Sequence, residues 1–208
     1  IDGMPTLYLT WTGAAPVPVS LLREYAALGI RIFQAYGLTE SCGPGTLLLH
    51  EDGEAKVGSC GRPQMHTEVK IVDSAGNTIP MGSPQPGELL VSGRHLMKEY
   101  WNNPKATAET LRDGWLHTGD VCTWDAEGFI TICDRMKDMI ISGGENIYPA
   151  ELENVLAGRP EVQEAAVIGV ASAKWGETPL AIVVAAPGTT PTAESLKAYC
   201  KEHLAGYK

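Results

Sequence analysis

Asp134-Arg135-Met136-Lys137-Asp138 places four charges among five residues, between the apolar runs Phe129–Cys133 and Met139–Ile141. Such a stretch cannot be buried without partners, because each unpaired charge resists leaving water. It therefore predicts a joint between two packed bodies. The pattern on its two sides supports that reading.

Before the joint the chain reads first as α/β and then as β. Leu7–Thr12 alternates like a strand, and Gly13-Ala14-Ala15-Pro16 is a tight loop of small residues. The spacing of Leu21, Leu22, Tyr25 and Leu28 predicts a helix over Pro18–Leu28 with one apolar face, stopped by Gly29. Ile30–Phe33 is a second short strand, so the order is strand, loop, helix, strand. From about residue 57 short alternating runs take over. Glu68–Val72 and Glu88–Ser92 are separated by turn signals at Asp73–Asn77 and Pro80–Gly87, and Val121–Trp124 and Phe129–Cys133 flank a hairpin turn. This predicts an antiparallel, partly barrel-like sheet. After the joint, a helix over Pro149–Ala157, strands over Val162–Val170 and Leu180–Ala186, and a helix over Thr192–Leu204 predict a small α+β body. The expected domains are 1–134 and 135–208.

The net charge of −9, without any Lys/Arg run, argues against a nucleic-acid surface. No apolar run approaches the roughly 20 residues of a membrane span. The five cysteines include no C-x-x-C pair, so reduced thiols of a cytoplasmic protein are the expectation. Neither H-E-x-x-H nor G-x-x-x-x-G-K-[ST] occurs. The N-terminus carries no signal-peptide pattern, and the chain reads as beginning inside a longer protein.

Three groups of residues carry chemistry. Tyr36-Gly37-Leu38-Thr39-Glu40 follows a strand: an aromatic can stack a base, a glycine admits a ligand, a Thr hydroxyl can meet a phosphate, and a Glu can hold Mg²⁺. The bland alternative is a strand-end turn with a capping Thr. Asp120 ends Gly114-Trp115-Leu116-His117-Thr118-Gly119-Asp120, read as a compact turn, and its two oxygens suit a pair of ribose hydroxyls. It could equally be an ordinary turn residue, Arg135 a surface charge, and His117 a structural histidine. Ser142-Gly143-Gly144-Glu145-Asn146 is read as a flexible loop able to bring N–H groups to a ligand.

In this order and spacing the chain resembles the adenylate-forming acyl-CoA synthetases, most closely the medium- and long-chain fatty-acyl-CoA ligases. The matching stretches are Thr12–Pro16, Gln34–Glu40, Gly114–Asp120, Asp134–Ile140 and Ser142–Glu151. The resemblance implies roles. Gly13 and Ala14 line the adenine and acyl pocket. Gln34, Ala35, Tyr36, Gly37, Leu38 and Thr39 surround the nucleotide, with Thr39 on the α-phosphate and Glu40 on Mg²⁺. Asp120 holds the ribose with help from Arg135. Lys137 is the hinge, and Gly143, Gly144 and Glu145 face the CoA arm. The implied substrates are a carboxylic acid, ATP and CoA. The family's phosphate-binding loop and C-terminal lysine would lie outside this sequence, so the chain alone is expected to be inactive. Two other readings stay open: an adenylation domain that serves a carrier protein, and a non-catalytic nucleotide-binding module.

Overall fold

The computed structural model describes residues 10–14, 17, 19–30, 32–49, 51–53 and 55–208. Leu7–Leu9 of the expected first strand, Ala15 and Pro16 of the loop, and Pro18 at the expected helix start lie outside them. The chain divides into two compact units, and the division falls between Ile132 and Cys133.

The first unit opens with β1 (Thr10–Thr12), α1 (Val19–Ala27) and β2 (Ile32–Leu38). The two strands are parallel, with Thr10 beside Ile32 and Thr12 beside Gln34. A parallel pair needs a crossover connection, and α1 supplies it. The expected apolar stripe of α1 is not buried: Leu21, Tyr25 and Leu28 are exposed among the described residues. β3 (Gly43–Leu48) pairs antiparallel with β2, and β4 (Arg62–Pro63) pairs with β3. The sequence places the end of the second strand at Phe33, but β2 runs on to Leu38, because its pairing with β3 continues through Leu38↔Gly43. Tyr36, Gly37 and Leu38 are therefore strand residues and do not follow a strand.

A second sheet holds β5 (Thr67–Val72), β6 (Gly87–Gly93), β7 (Leu111–Arg112), β8 (Trp115–Trp124) and β9 (Ile130–Arg135), in the order β5-β6-β8-β7 with β9 also pairing with β8. Between β6 and β7 lies α2 (Pro104–Thr110), which the sequence reading missed. Asn103 caps it by accepting from the Ala106 N–H at 3.1 Å, and Pro104 occupies its first turn, where no N–H is needed. The core of this unit contains the buried side chains Ile71, Leu89, Val91, Leu116 and Ile130, each stabilising by roughly 1.5–3 kcal/mol on burial. Tyr36, from the first sheet, packs into the same core. The hairpin over Asp125–Gly128 forms as expected: the Asp125 carboxylate accepts from the N–H groups of Glu127 and Phe129, and Lys56 pairs with that carboxylate at 2.5 Å.

The second unit contains β10 (Ile140–Ser142), β11 (Glu145–Ile147), α3 (Pro149–Ala157), β12 (Val162–Ser172), β13 (Gly176–Ala185) and α4 (Ala193–His203). Its antiparallel sheet has the order β11-β10-β13-β12. Ile140, Ile147, Leu152, Leu156 and Val167 form its core, with Leu196, Cys200 and Leu204 of the α4 region packed against them. Thr192 and Ser195 close a reciprocal cap on α4, each side chain accepting from the other residue's N–H. The opposite face of the β12–β13 ribbon leaves Ile168, Leu180, Ile182 and Val184 exposed. The expected strands here were too short at one end. β12 continues to Ser172 and β13 begins at Gly176, because a tight turn joins them without an intervening loop.

Candidate active site

In the first unit, the singled-out residues gather at the carboxyl ends of the parallel strands β1 and β2, where open α/β layers place ligands. Gly13 follows β1. A Cβ on it would lie 2.8 Å from the Ala35 carbonyl oxygen, so a side chain would collide with the β2 backbone. Ala14 has φ +71°, a left-handed conformation that is unusual for a residue with a Cβ. Gln34 and Ala35 lie within β2.

Tyr36 and Asp120 meet although 84 residues separate them. The Tyr36 hydroxyl donates to Asp120 Oδ2 at 2.5 Å, and both side chains are buried. Burial, and then the neighbouring Asp120 charge, push the Tyr36 hydroxyl far above its ordinary range, so it stays a proton donor. Besides the close ligand approach expected from the sequence, Gly37 meets a packing demand. A Cβ there would lie 2.2 Å from the Gly43 carbonyl oxygen of β3, so strand packing demands the glycine. Gly37→Ala is expected to destabilise the chain by about 1–3 kcal/mol through overpacking. Urea unfolding with an unchanged m-value and a lowered midpoint checks this.

Thr39 and Glu40 begin a single 3₁₀ turn, Thr39–Ser41. Ser41 fixes it by accepting from the Leu38 N–H at 2.9 Å. Thr39 is exposed. Glu40 is held from a segment the sequence reading passed over: Tyr100 Oη donates to Glu40 Oε1 at 2.6 Å, and the Met97 N–H donates to the Glu40 carbonyl at 2.8 Å. The hydrogen bond to Glu40 pushes the Tyr100 hydroxyl upward.

Asp120 does not end an open turn; it lies within β8 and is 3% exposed. Its position comes from an irregularity in that strand. Glu88 pairs with Val121 and Leu90 with His117, so only Leu89 on β6 faces Thr118, Gly119 and Asp120 on β8. The surplus residues bulge, and Gly119 takes φ +71° there. Thr118 Oγ1 donates to the Leu89 carbonyl at 2.7 Å and accepts from the Asp120 N–H at 3.1 Å. The Glu88 carboxylate accepts from the Gly119 N–H at 3.2 Å and lies 2.9 Å from His117 Nδ1. His117 is thus engaged in holding the strand. The signal for Glu88 in the sequence is faint, a Gly-Glu at the start of an apolar run.

In the second unit, Asp134 anchors the segment that follows it. Its Oδ1 accepts from the Arg135 N–H at 2.7 Å, and its Oδ2 from the Ala150 N–H at 3.0 Å, at the start of α3. Lys137 is exposed, in a turn closed by the Asp138 N–H on the Arg135 carbonyl at 3.0 Å. Arg135 is exposed at the end of β9. Gly143 and Gly144 form a hairpin turn between β10 and β11, not a flexible loop: Ser142 pairs with Glu145, and both glycines have positive φ, +60° and +90°. The Gly143 N–H donates to the Trp175 carbonyl at 2.8 Å, and a Cβ on Gly143 would lie 2.9 Å from the Trp175 ring. Trp175 is half exposed, with Lys174 Nζ 4.4 Å from its ring centre. The sequence reading did not single it out. Glu145 is exposed beside the turn. Among the described residues, no helix is long and apolar enough to cross a membrane.

The family model for AMP-binding enzymes matches residues 2–101, and that for the AMP-binding enzyme C-terminal domain matches residues 151–208. The chain belongs to the AMP-binding enzyme family. It is 49% identical over 197 residues to a feruloyl-CoA synthase of Amycolatopsis sp, covering 94% of this chain and 40% of that protein. It is also 49% identical over 197 residues to the long-chain-fatty-acid–CoA ligase FadD13 of Mycobacterium tuberculosis, covering 95% of this chain and 38% of that protein. Among solved structures, the Bacillus subtilis o-succinylbenzoate CoA synthetase with its acyl-adenylate intermediate superposes with a TM-score of 0.89 at 42% identity, over 96% of this chain and 40% of that one. The chain thus spans about two fifths of the length of these relatives.

Proposed function

We propose that this chain carries part of the active site of an ATP-dependent acid–CoA ligase. Turnover belongs to the intact ligase that contains it. The observation that carries the reading is the Tyr36–Asp120 hydrogen bond, which joins the two motif stretches at one strand end. The relatives support it: the B. subtilis synthetase has been solved with AMP, and with ATP and magnesium.

In the first half-reaction, a carboxylate oxygen of the acid bonds to the α-phosphorus of ATP. The bond to the β-phosphate oxygen breaks, and acyl-AMP and pyrophosphate result. Asp120 accepts from the ribose hydroxyls and Arg135 assists. Tyr36 flanks the adenine, within the wall formed by Gly13, Ala14 and Gln34–Leu38. The Thr39 hydroxyl donates to an α-phosphate oxygen, where negative charge builds up. Among the described residues there is no cluster of three or more Asp, Glu, His or Cys side chains able to cage a metal. Mg²⁺ needs only one or two carboxylates together with substrate phosphates, and Glu40 would be the carboxylate that holds it. The ion, when bound, neutralises phosphate charge. In the second half-reaction the CoA sulfur bonds to the acyl carbon and AMP leaves. The second unit turns about Lys137, and Gly143, Gly144 and Glu145 face the pantetheine arm.

The acid is a fatty acid by the resemblance of the motifs. Equal identity to a feruloyl-CoA synthase favours an aryl acid as the second reading. A cytoplasmic location is supported by five free cysteines. Acid-dependent exchange of labelled pyrophosphate into ATP, run across alkyl and aryl acids, tests the reading. Exchange is expected with at least one series, and its absence for every acid contradicts the proposal.

A further inference from the structure

We infer that Glu88 is a positioning residue for ribose recognition, acting through the β8 bulge that carries Asp120. The inference rests on the reading of Asp120 as the ribose acceptor. Three observations carry it. First, the bulge is local and one-sided: three residues of β8 stand against Leu89 alone. Second, its Gly119 is at φ +71°, and nothing stands within 4 Å of where a Cβ would lie, so no neighbour meets that side of the residue. Third, the group that does hold it is the Glu88 carboxylate, one oxygen on the Gly119 N–H and the other on His117 Nδ1, with both side chains largely shielded at 16% and 18% exposure.

Glu88 therefore ties the residue before Asp120 to the residue three before it. Thr118 secures the remaining member of the bulge through the Leu89 carbonyl and the Asp120 N–H. Without Glu88, the Gly119 N–H loses its charged acceptor, and the peptide entering Asp120 can rotate, since glycine meets little steric resistance to doing so. The Asp120 carboxylate then keeps its chemistry but loses its aim. Hydrogen bonds weaken steeply with misalignment, so discrimination between ribose and deoxyribose is the property that falls.

The test is the ratio of kcat/KM for ATP to that for 2′-deoxy-ATP and 3′-deoxy-ATP in the intact ligase, with calorimetric binding of AMP and the matching deoxy-AMPs as a second readout. Asp120→Ala, which removes both acceptor oxygens, calibrates it and should collapse the ratio toward one. Glu88→Ala is expected to lower kcat/KM for ATP about 10-fold while the deoxynucleotides fall less, since they lack one of the bonds at stake. Glu88→Gln retains an oxygen for the Gly119 N–H and is expected to restore most of the ratio. Gly119→Ala, which strains the bulge from within, is expected to reduce the ratio as well and serves if Glu88→Ala does not fold. Equal losses for ribo- and deoxynucleotides, with the ratio intact in Glu88→Ala and Gly119→Ala, would mean a purely structural role and would overturn the inference. If Asp120→Ala itself leaves the ratio unchanged, the ribose reading fails and the inference falls with it.

Discussion

Asp120→Ala in the intact ligase is expected to lower kcat/KM for ATP by about 10- to 10⁴-fold. Two ribose hydroxyls lose their acceptor, at roughly 1–3 kcal/mol for each partner left unsatisfied. The burial of Asp120 adds a second effect. Its loss strands the Tyr36 hydroxyl inside the core, so stability falls too, by about 1–3 kcal/mol. The two effects separate in the double variant Asp120→Ala/Tyr36→Phe. Removing both partners leaves no orphaned group, so the melting temperature should recover while kcat/KM for ATP stays low. An unchanged kcat/KM for ATP in Asp120→Ala removes this residue from the nucleotide site. Recovery of both properties in the double variant would show that the single variant was only unstable.

Lys137→Pro is expected to divide the two half-reactions. Lys137 is the third residue of the turn closed between Arg135 and Asp138. Proline at that position pushes the preceding residue, Met136, out of the helical region, so this turn cannot form in the same way. Residues 135–138 are exposed, so backbone rotation in this turn displaces little packed structure. Of the groups proposed for adenylation, Thr39, Glu40 and Asp120 belong to the first unit and Arg135 precedes Lys137 in the chain; the glycine turn lies beyond Lys137 in the second unit. Pyrophosphate exchange should therefore persist, while transfer of preformed acyl-AMP to CoA falls about 10²-fold, the scale of a misplaced reacting group. Equal loss of both activities would indicate a shared catalytic or folding role, and full retention of both would place the pivot elsewhere.

How far the sequence could be read follows from which interactions are local. The hairpin at Asp125–Gly128 and the helix at Pro149–Ala157 rest on turn chemistry and on proline at a first helical turn, and both form where the residues place them. Asp120 was found as a residue, but its setting was misread. Thr-Gly-Asp looks like a turn in one dimension, and only the pairing of β8 with β6 makes it a bulge inside a strand. The packing demand on Gly37 is hidden for a related reason, since the Gly43 carbonyl that excludes a side chain belongs to the next strand. Gly143-Gly144 looks flexible in composition, yet the pairing of Ser142 with Glu145 fixes both at positive φ. Tyr100, Glu88 and Trp175 bond Glu40, Gly119 and Gly143 from 60, 31 and 32 positions away respectively, a separation at which no local pattern carries a signal. The apolar stripe of α1 was legible as periodicity, but periodicity alone does not say whether a stripe is covered.

The most direct test of the central claim is the identity of the thiol that ends the reaction. The intact ligase, given ATP, Mg²⁺ and an acid that supports pyrophosphate exchange, is offered free CoA or a carrier protein bearing a phosphopantetheine arm. The acylated thiol is read by mass spectrometry and AMP is measured in parallel. The account predicts acyl-CoA formed in equal amount to AMP, with the carrier unmodified. Acylation of the carrier alone, with acyl-AMP persisting in the presence of free CoA, would contradict it.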